Sequence, residues 1–208
     1  DLYDYFIRDE KLFFCIGDVS GKGIPASLFM AIIRSLFRNV SLHNDDPATI
    51  ADALNKGIAE GNDMNMFCTM FIGVLDLRTG RLDYCNAGHN APVVRRIIDG
   101  KLVIDYIQPK TNIAIGIFAD YPYATETATM QPGEAIFLYT DGVTEAENRN
   151  KQLFGEEATL QALADSRAHN NLNAKEFIET VYQHIEHFTN GAEQSDDITM
   201  LVVEYKRK

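Results

Sequence analysis

Aspartates stand at the ends of three apolar segments of this chain. Asp18 closes "FFCIGD", Asp141 follows "AIFLYT", and Asp196 and Asp197 come just before "ITMLVVEY". In antiparallel sheets the end of one strand lies beside the start of its neighbour, so these carboxylates can share one sheet edge. Carboxylates held close together raise one another's pKa, and a divalent cation removes that conflict. Oxygen ligands without cysteine or clustered histidine favour Mg²⁺ or Mn²⁺.

The beginning of the chain adds one more carboxylate to this set. "DLYDYFIR" and "KLFFCIGD" are rich in β-favouring residues and are separated by Asp9 and Glu10, which predicts a hairpin. If Asp9 and Glu10 form its turn, Asp1 falls opposite Asp18, where like charges destabilise a sheet. Any one of these aspartates alone is typical of an ordinary turn. Their grouping at several strand ends is what predicts a metal site.

The rest of the chain consists of blocks of strands and blocks of helices. Helical periodicity predicts four helices, over Ile24 to about His43, Pro47 to about Glu60, about Gly155–Ser166, and Ala174–Thr189. Further hairpins are predicted around "RTG" and "DG", and "YATETATM", "AIFLYTD" and "ITMLVVEY" are further strands. Because hairpins dominate and βαβ alternation is missing, we predict an α/β (α+β) fold. Its expected form is a four-layer α-β-β-α sandwich of two mainly antiparallel sheets flanked by helices.

The composition limits the possible classes of function. The chain has 208 residues, 46% of them hydrophobic, and a net charge of −11, which suits one domain over residues 1–208. Its acidity disfavours nucleic acid and anionic membranes as partners, and no apolar run approaches the roughly 20 residues that span a bilayer. Three cysteines without C-x-x-C spacing indicate a reducing compartment, so we expect a cytoplasmic protein.

The segment around Asp18 also imitates two nucleotide-binding loops. From Gly17 onward it resembles a Walker loop, but the spacing to Gly21 and Lys22 is one residue too short, and Gly23 replaces the required Ser or Thr. The same glycines imitate a dinucleotide fingerprint, yet the acidic residues about 20 positions later follow a predicted helix rather than a strand. A nucleotide-binding enzyme is therefore the weaker hypothesis.

Three histidines are possible acid–base or metal-binding groups. His89 in "AGHNAP" is more typical of a residue that shapes a hairpin turn than of a general acid. His184 and His187 lie on the polar side of a predicted helix whose apolar residues occupy the other side. None of the three is therefore predicted to be a ligand.

Five motifs follow one another in a characteristic order: "DLYDYF", "GDVSGKGIPASLFM", "NAGHNAP", "LYTDGVTEAEN" and "SDDIT". Together they resemble the metal-dependent serine/threonine phosphatases of the protein phosphatase 2C (PPM) type, in their bacterial sporulation-phosphatase (SpoIIE-like) branch. The first looks like the remainder of that branch's G-G-D-x-x-D element, and the second, fourth and fifth are similar to its metal motifs. The match covers nearly the whole chain, and the family's α-β-β-α sandwich agrees with the fold predicted above.

This resemblance implies a site with two divalent cations, Mn²⁺ or Mg²⁺. Asp18 would bridge both cations, and the backbone carbonyl of Val19 would bind one of them. Asp141 and Asp196 would supply further ligands. Two additional ligand candidates are Asp1 and Asp197.

The implied reaction is hydrolysis of a phosphoserine or phosphothreonine monoester. A water between the cations, its pKa lowered, would attack phosphorus in line while the cations neutralise the phosphoryl oxygens. Asp18, Asp141 and Asp196 would be catalytic through that water. Glycines near the cations would let the backbone follow an unusual path, and no arginine is identified for gripping the phosphate. The candidate substrate contacts are Gly21, Lys22 and Gly23.

The resemblance also implies partners. The expected substrate is a small phosphorylated antagonist of an anti-sigma factor, and the chain would be the C-terminal part of a longer signalling protein with an upstream sensory or receiver domain. Contact with nucleic acid or a membrane is not expected, and a homodimer is left open. The alternative is a non-catalytic module that uses the same fold to bind a partner. Loss of Asp18, Asp141 or Asp196 would favour that alternative, and all three are present.

Overall fold

The computed structural model describes residues 1–59, 62, 64–99, 101–110, 112–165 and 173–206. These residues form two compact units. Unit 1 comprises Asp1–His89 and Pro109–Met130, and unit 2 comprises Asn90–Gln108 and Gln131–Lys206. Each unit contains one antiparallel sheet and its own helices.

The sheet of unit 1 has five strands in the order β1-β2-β3-β4-β7. They are β1 (Leu2–Arg8), β2 (Lys11–Val19), β3 (Cys68–Asp76), β4 (Arg81–Ala87) and β7 (Glu126–Thr129). Asp9 and Glu10 join β1 to β2 with φ angles of 49° and 59°, the left-handed backbone that a two-residue hairpin turn of the right twist requires. The predicted first hairpin and its register are therefore confirmed.

Two helices, α1 (Ile24–Ser41) and α2 (Pro47–Ala59), cover one face of this sheet. Side chains alternate along a strand, so every second residue of β2 and β3 joins the core with the apolar stripe of each helix. This core includes Phe13, Cys15, Met70 and Ile72 from the sheet, Ile33 and Phe37 from α1, and Leu54 from α2. Pro25 occupies the first turn of α1, where its missing N–H costs no helical hydrogen bond.

The sheet of unit 2 has four strands in the order β6-β5-β8-β9. They are β5 (Val93–Ile98), β6 (Lys101–Tyr106), β8 (Ala135–Tyr139) and β9 (Met200–Glu204), accompanied by the helices α3 (Asp141–Thr144), α4 (Gly155–Asp165) and α5 (Ala174–Thr189). Phe137 and Tyr139 of β8 pack with Phe177 and Val181 of α5 and with Leu163 of α4. Asn173 caps α5 through a reciprocal capping box, which satisfies backbone N–H groups of its first turn.

These elements confirm the predicted class: a mixed α and β fold with two antiparallel sheets and helices. The predicted end points at Glu60 and Ser166 lie outside the described residues. The prediction of one domain over residues 1–208 stays a prediction. In the part of the chain that the structure describes, no helix is long and apolar enough to cross a membrane, and the three cysteines are free and buried.

Candidate functional site

The first hairpin sets the position of two predicted ligands. β1 pairs with β2 so that Leu2 lies opposite Gly17, and this register, continued by one position, places Asp1 opposite Asp18. On its other side Asp18 lies opposite Thr69 of β3. Unit 1 therefore brings the carboxylates of Asp1 and Asp18 to neighbouring strand ends, because the two-residue turn fixes the register of the whole hairpin.

The loop after Asp18 is fastened to the segment before β3. The N–H of Ser20 donates to the carbonyl of Phe67 over 2.9 Å, and the N–H of Phe67 donates to Oγ of Ser20 over 2.9 Å. Beyond Ser20 the backbone turns through Gly21 and Gly23, whose φ angles of 84° and 79° are left-handed. Glycine adopts such angles without the strain that a side chain brings.

The three predicted substrate contacts lie on an exposed bend. Gly21, Lys22 and Gly23 are all exposed, and a Cβ atom at either glycine would meet no other atom within 4 Å. The glycines are therefore needed for backbone conformation rather than for close packing. α1 begins directly after Gly23, so this loop is joined rigidly to a long helix.

In unit 2 the buried strand β8 ends at Tyr139, Thr140 is the N-cap residue of α3, and Asp141 opens the single turn of that helix. Thr140 is fully buried. Its N–H donates to the carbonyl of Thr199 over 3.1 Å, and its Oγ1 accepts from the N–H of Thr199 over 3.1 Å. These bonds extend the pairing of β8 with β9 by one residue pair and fix the point at which Asp141 leaves the sheet.

The turn before β9 brings two further predicted ligands to α3. Asp196 and Asp197 are exposed, and Oδ1 of Asp196 accepts from the N–H of Asp197 over 2.9 Å. A Cβ atom built on Gly142 would lie only 2.0 Å from the carbonyl oxygen of Asp197. Only glycine fits there, so the Asp-Gly pair that begins α3 lies directly against the Asp196–Asp197 turn.

Cys68 lies opposite Val19 in the sheet of unit 1. Burial raises the pKa of the Cys68 thiol well above its ordinary value, and the nearby Asp18 carboxylate raises that pKa further. A thiol in this state stays protonated at neutral pH and is a poor metal ligand.

His89 is buried two residues after the end of β4. Its N–H donates to Oδ1 of Asn86 over 2.7 Å, and Nδ2 of Asn86 donates back to the His89 carbonyl over 3.0 Å. Its Nδ1 lies 3.0 Å from Oγ1 of Thr69, the residue opposite Asp18. This agrees with the turn-shaping role expected from the sequence, and it adds Thr69, which sequence reasoning missed because only the register of β2 and β3 places it there.

The predicted side-chain ligands thus lie in two sets, one in each unit. Unit 1 holds Asp1 and Asp18, and unit 2 holds Asp141 with Asp196 and Asp197. All are carboxylates, so their donor chemistry fits Mg²⁺ or Mn²⁺. Within the described ranges, however, no three His, Cys, Asp or Glu residues form a group that could hold a metal ion.

Comparison with known proteins covers almost the whole chain. The family model described as Stage II sporulation protein E (SpoIIE) matches residues 8–206. Protein IcfG of Synechocystis is 32% identical over 98% of this chain and 35% of its own length. Phosphoserine phosphatase RsbU of Bacillus subtilis is 29% identical over 98% of this chain and 59% of its own length. The chain thus spans between about one third and three fifths of these relatives.

Solved structures show the same fold. The SiaA-PP2C domain of Pseudomonas aeruginosa superposes with a TM-score of 0.82 at 20% identity, over 98% of this chain and 80% of that domain. The catalytic domain of the serine/threonine phosphatase PstP, solved in complex with two manganese ions, superposes with a TM-score of 0.62 at 15% identity. That match covers 99% of this chain and 91% of the PstP chain.

Proposed function

Because the chain belongs to the SpoIIE family of PP2C-type phosphatases, we propose that it hydrolyses phosphoserine or phosphothreonine on a protein substrate with divalent cations. The observation that carries the proposal is the family match over residues 8–206, within which the aspartates of every predicted metal motif are present. The phosphate ester and water would give a serine or threonine hydroxyl and inorganic phosphate.

Two cations, Mn²⁺ or Mg²⁺, are proposed to bind at the carboxylates. Asp18, the Val19 carbonyl, Asp141 and Asp196 would hold them as the main set of ligands. Asp1 and Asp197 are secondary candidates. When bound, the cations would lower the pKa of a water and neutralise phosphoryl oxygens. PstP, a structural neighbour of this chain, holds two manganese ions.

The chain's own residues would then position the substrate. Gly21, Lys22 and Gly23 are exposed beside the end of β2, where the Lys22 ammonium would attract a phosphorylated segment. Thr69 lies opposite Asp18 and contacts His89, so it would limit the movement of the Asp18 side chain. Fixed ligands matter because Mg²⁺ requires near-ideal octahedral geometry.

The proposed partners follow from the relatives reported above. The name of RsbU describes a phosphoserine phosphatase, and we extend this to a phosphorylated antagonist of an anti-sigma factor as the substrate here. A sensory or receiver domain would regulate the activity, which is consistent with the greater length of the matched relatives. A cytoplasmic location is proposed because the described thiols of Cys15, Cys68 and Cys85 are free.

Phosphate release from a phosphoserine peptide tests this function. We expect turnover in the presence of Mn²⁺ and none after chelation with EDTA. Asp18→Asn and Asp141→Asn should each reduce kcat by at least about a hundredfold, because each removes ligand charge while leaving packing unchanged. Circular dichroism should show that both variants remain folded.

The matched control is Asp120→Asn, which changes an exposed aspartate away from the predicted motifs and should leave kcat unchanged. Absence of turnover towards phosphopeptides and towards p-nitrophenyl phosphate at millimolar Mn²⁺ would refute the proposed activity and favour the non-catalytic alternative. Near-normal turnover in Asp18→Asn or Asp141→Asn would refute the assignment of that residue.

A further inference from the structure

A groove of about 520 Å³ lies between β1 and α1 in unit 1. β1 is the edge strand of its sheet, so the groove follows the outer side of that sheet. Along β1 the lining runs from Asp1 to Tyr5, and Arg38 contacts Asp4 and Tyr5, away from Asp1. The lining includes Asp1, Tyr3, Asp4, Met30, Arg34 and Arg38.

One of the two arginines in the groove has a structural task. Asp4 is a buried carboxylate, with 4% of its side chain exposed. Arg38 donates to both of its oxygens, over 2.6 and 2.7 Å, and to the carbonyl of Tyr5 over 3.3 Å. Its guanidinium also lies 5.5 Å from the ring centroid of Phe6. Arg38 therefore neutralises most of the charge of Asp4 and is held in place.

Arg34 is the second positive charge, one helical turn closer to the start of α1. Its Nε lies 3.4 Å from Oδ2 of Asp4, and 56% of its side chain is exposed. Because Arg38 already neutralises Asp4, these three residues carry one net positive charge, which the carboxylate of Asp1 balances over the groove as a whole. The positive charge is therefore local to Arg34, where it is suited to pair with a single carboxylate of a partner.

The distance from Arg34 to the carboxylate pair defines what could bind. Arg34 contacts Asp4, which is three residues along β1 from Asp1, or about 10 Å at the rise of an extended strand. An extended peptide covers the same distance in three or four residues. A phosphorylated residue placed at the Asp1–Asp18 end would therefore bring its third or fourth neighbour to Arg34.

We propose that the groove between β1 and α1 binds an extended acidic segment of the phosphorylated protein substrate. Arg34 would pair with a carboxylate three or four residues from the phosphorylated residue. This inference rests on the proposed function, since it takes the Asp1–Asp18 end as the place of the phosphate. Arg34 would then help to determine which substrate binds, and it would take no part in the hydrolytic step.

The test uses two phosphoserine peptides. They differ only at the third and fourth positions before and after the phosphoserine: one peptide has Glu at these positions, and the other has Gln. With Mn²⁺ present, kcat/KM should be about threefold to tenfold higher for the Glu peptide, mainly through KM. Arg34→Ala should remove this preference, Arg34→Lys should keep part of it, and neither should change turnover of p-nitrophenyl phosphate. Added salt should weaken the preference.

The matched control is Arg81→Ala, an arginine on β4 whose side chain is 62% exposed and pairs with Asp83; it should keep the full preference. Equal kcat/KM for the two peptides, or a preference that survives in Arg34→Ala, would overturn the inference. So would an equal loss of p-nitrophenyl phosphate turnover in Arg34→Ala, because that result would place Arg34 in the hydrolytic step.

A binding measurement separates this inference from the proposed function. Fluorescence anisotropy of labelled, non-hydrolysable phosphonate analogues of the two peptides, with the original chain and Mn²⁺, needs no turnover. Tighter binding of the Glu analogue, lost in Arg34→Ala, would support the groove even if no peptide is hydrolysed. Equal affinities for the Glu and Gln peptides would overturn it.

Discussion

Asp4 is a buried carboxylate of β1 that is bound by arginines on the surface of α1. Burial by itself raises the pKa of this carboxyl, but hydrogen bonds from Arg38 and from the N–H of Tyr5, together with the charges of Arg38 and Arg34, hold its pKa below the ordinary value. The carboxylate is therefore ionised in the folded chain at neutral pH. It anchors α1 to β1 beside the predicted ligand Asp1.

This pairing predicts a pH-dependent contribution to stability. Asp4→Asn should lower the free energy of unfolding at pH 7 by about 1–3 kcal/mol, since a buried charge-assisted pair is lost. Because the folded-state pKa of Asp4 is depressed, its contribution is present above the ordinary pKa of about 4 and is lost as the pH falls through the folded-state value. Denaturant unfolding at several pH values measures the difference.

The control for this prediction is Asp9→Asn. Asp9 pairs with Arg8 at 3.3 Å, but 85% of its side chain is exposed, so its replacement should change stability little at any pH. The expected difference between the original chain and Asp4→Asn is constant from about pH 7 to about pH 5 and shrinks below about pH 4. If the difference in unfolding free energy instead grew as the pH fell, it would contradict the assignment of Asp4 as an ionised carboxylate paired with Arg38.

Among the elements, the contact between α3 and the turn before β9 is the tightest part of the predicted site. Gly142→Ala would place a methyl group 2.0 Å from the Asp197 carbonyl oxygen, so one of the two backbones must move. We expect a loss of about 1–3 kcal/mol in unfolding free energy and weaker activation by Mn²⁺. Thermal unfolding and an Mn²⁺ titration of turnover measure the two effects.

Gly57→Ala is the matched glycine substitution. Gly57 lies within α2, and an added Cβ would meet only the Leu36 side chain at an ordinary 3.4 Å. Alanine has the higher helix propensity, so this variant should be as stable as the original chain or more stable by about 0.5–1 kcal/mol. If Gly142→Ala behaves like Gly57→Ala, the backbone contact at Asp197 does not constrain the site.

The elements also show what the sequence could predict. The long helices and the first hairpin follow from hydrophobic periodicity and from a two-residue turn, which are local signals. The single turn of α3 at Asp141–Thr144 is too short for periodicity to reveal. Thr69 was missed for a different reason: its place opposite Asp18 depends on the pairing of β2 with β3, which are separated by two helices.

The groove at Arg34 could not be predicted from the sequence either. An arginine on a helix is normally a solvated surface residue, and nothing in its neighbours along the chain distinguishes Arg34. Its significance comes from the packing of α1 against β1, which places two arginines beside one buried carboxylate. The role of residues that act through such long-range contacts can be identified only from the folded structure.

At the scale of the whole molecule, each unit contributes carboxylates of the proposed metal-binding set. In unit 1 they stand at the paired ends of β1 and β2, and in unit 2 at the turns that flank β8 and β9. Carboxylates in such turns add to a net charge of −11, which disfavours the compact state through self-repulsion. Binding of divalent cations to the folded chain would offset that repulsion and stabilise the fold.

Isothermal titration calorimetry with Mn²⁺ tests this cation binding most directly. We predict saturable uptake of about two ions per chain at micromolar to millimolar Mn²⁺, and loss of most of that uptake in Asp18→Asn, which removes the charge of a proposed ligand. Asp120→Asn should bind Mn²⁺ like the original chain. No saturable uptake at millimolar Mn²⁺, or uptake by Asp18→Asn equal to that of the original chain, would contradict the proposed metal site.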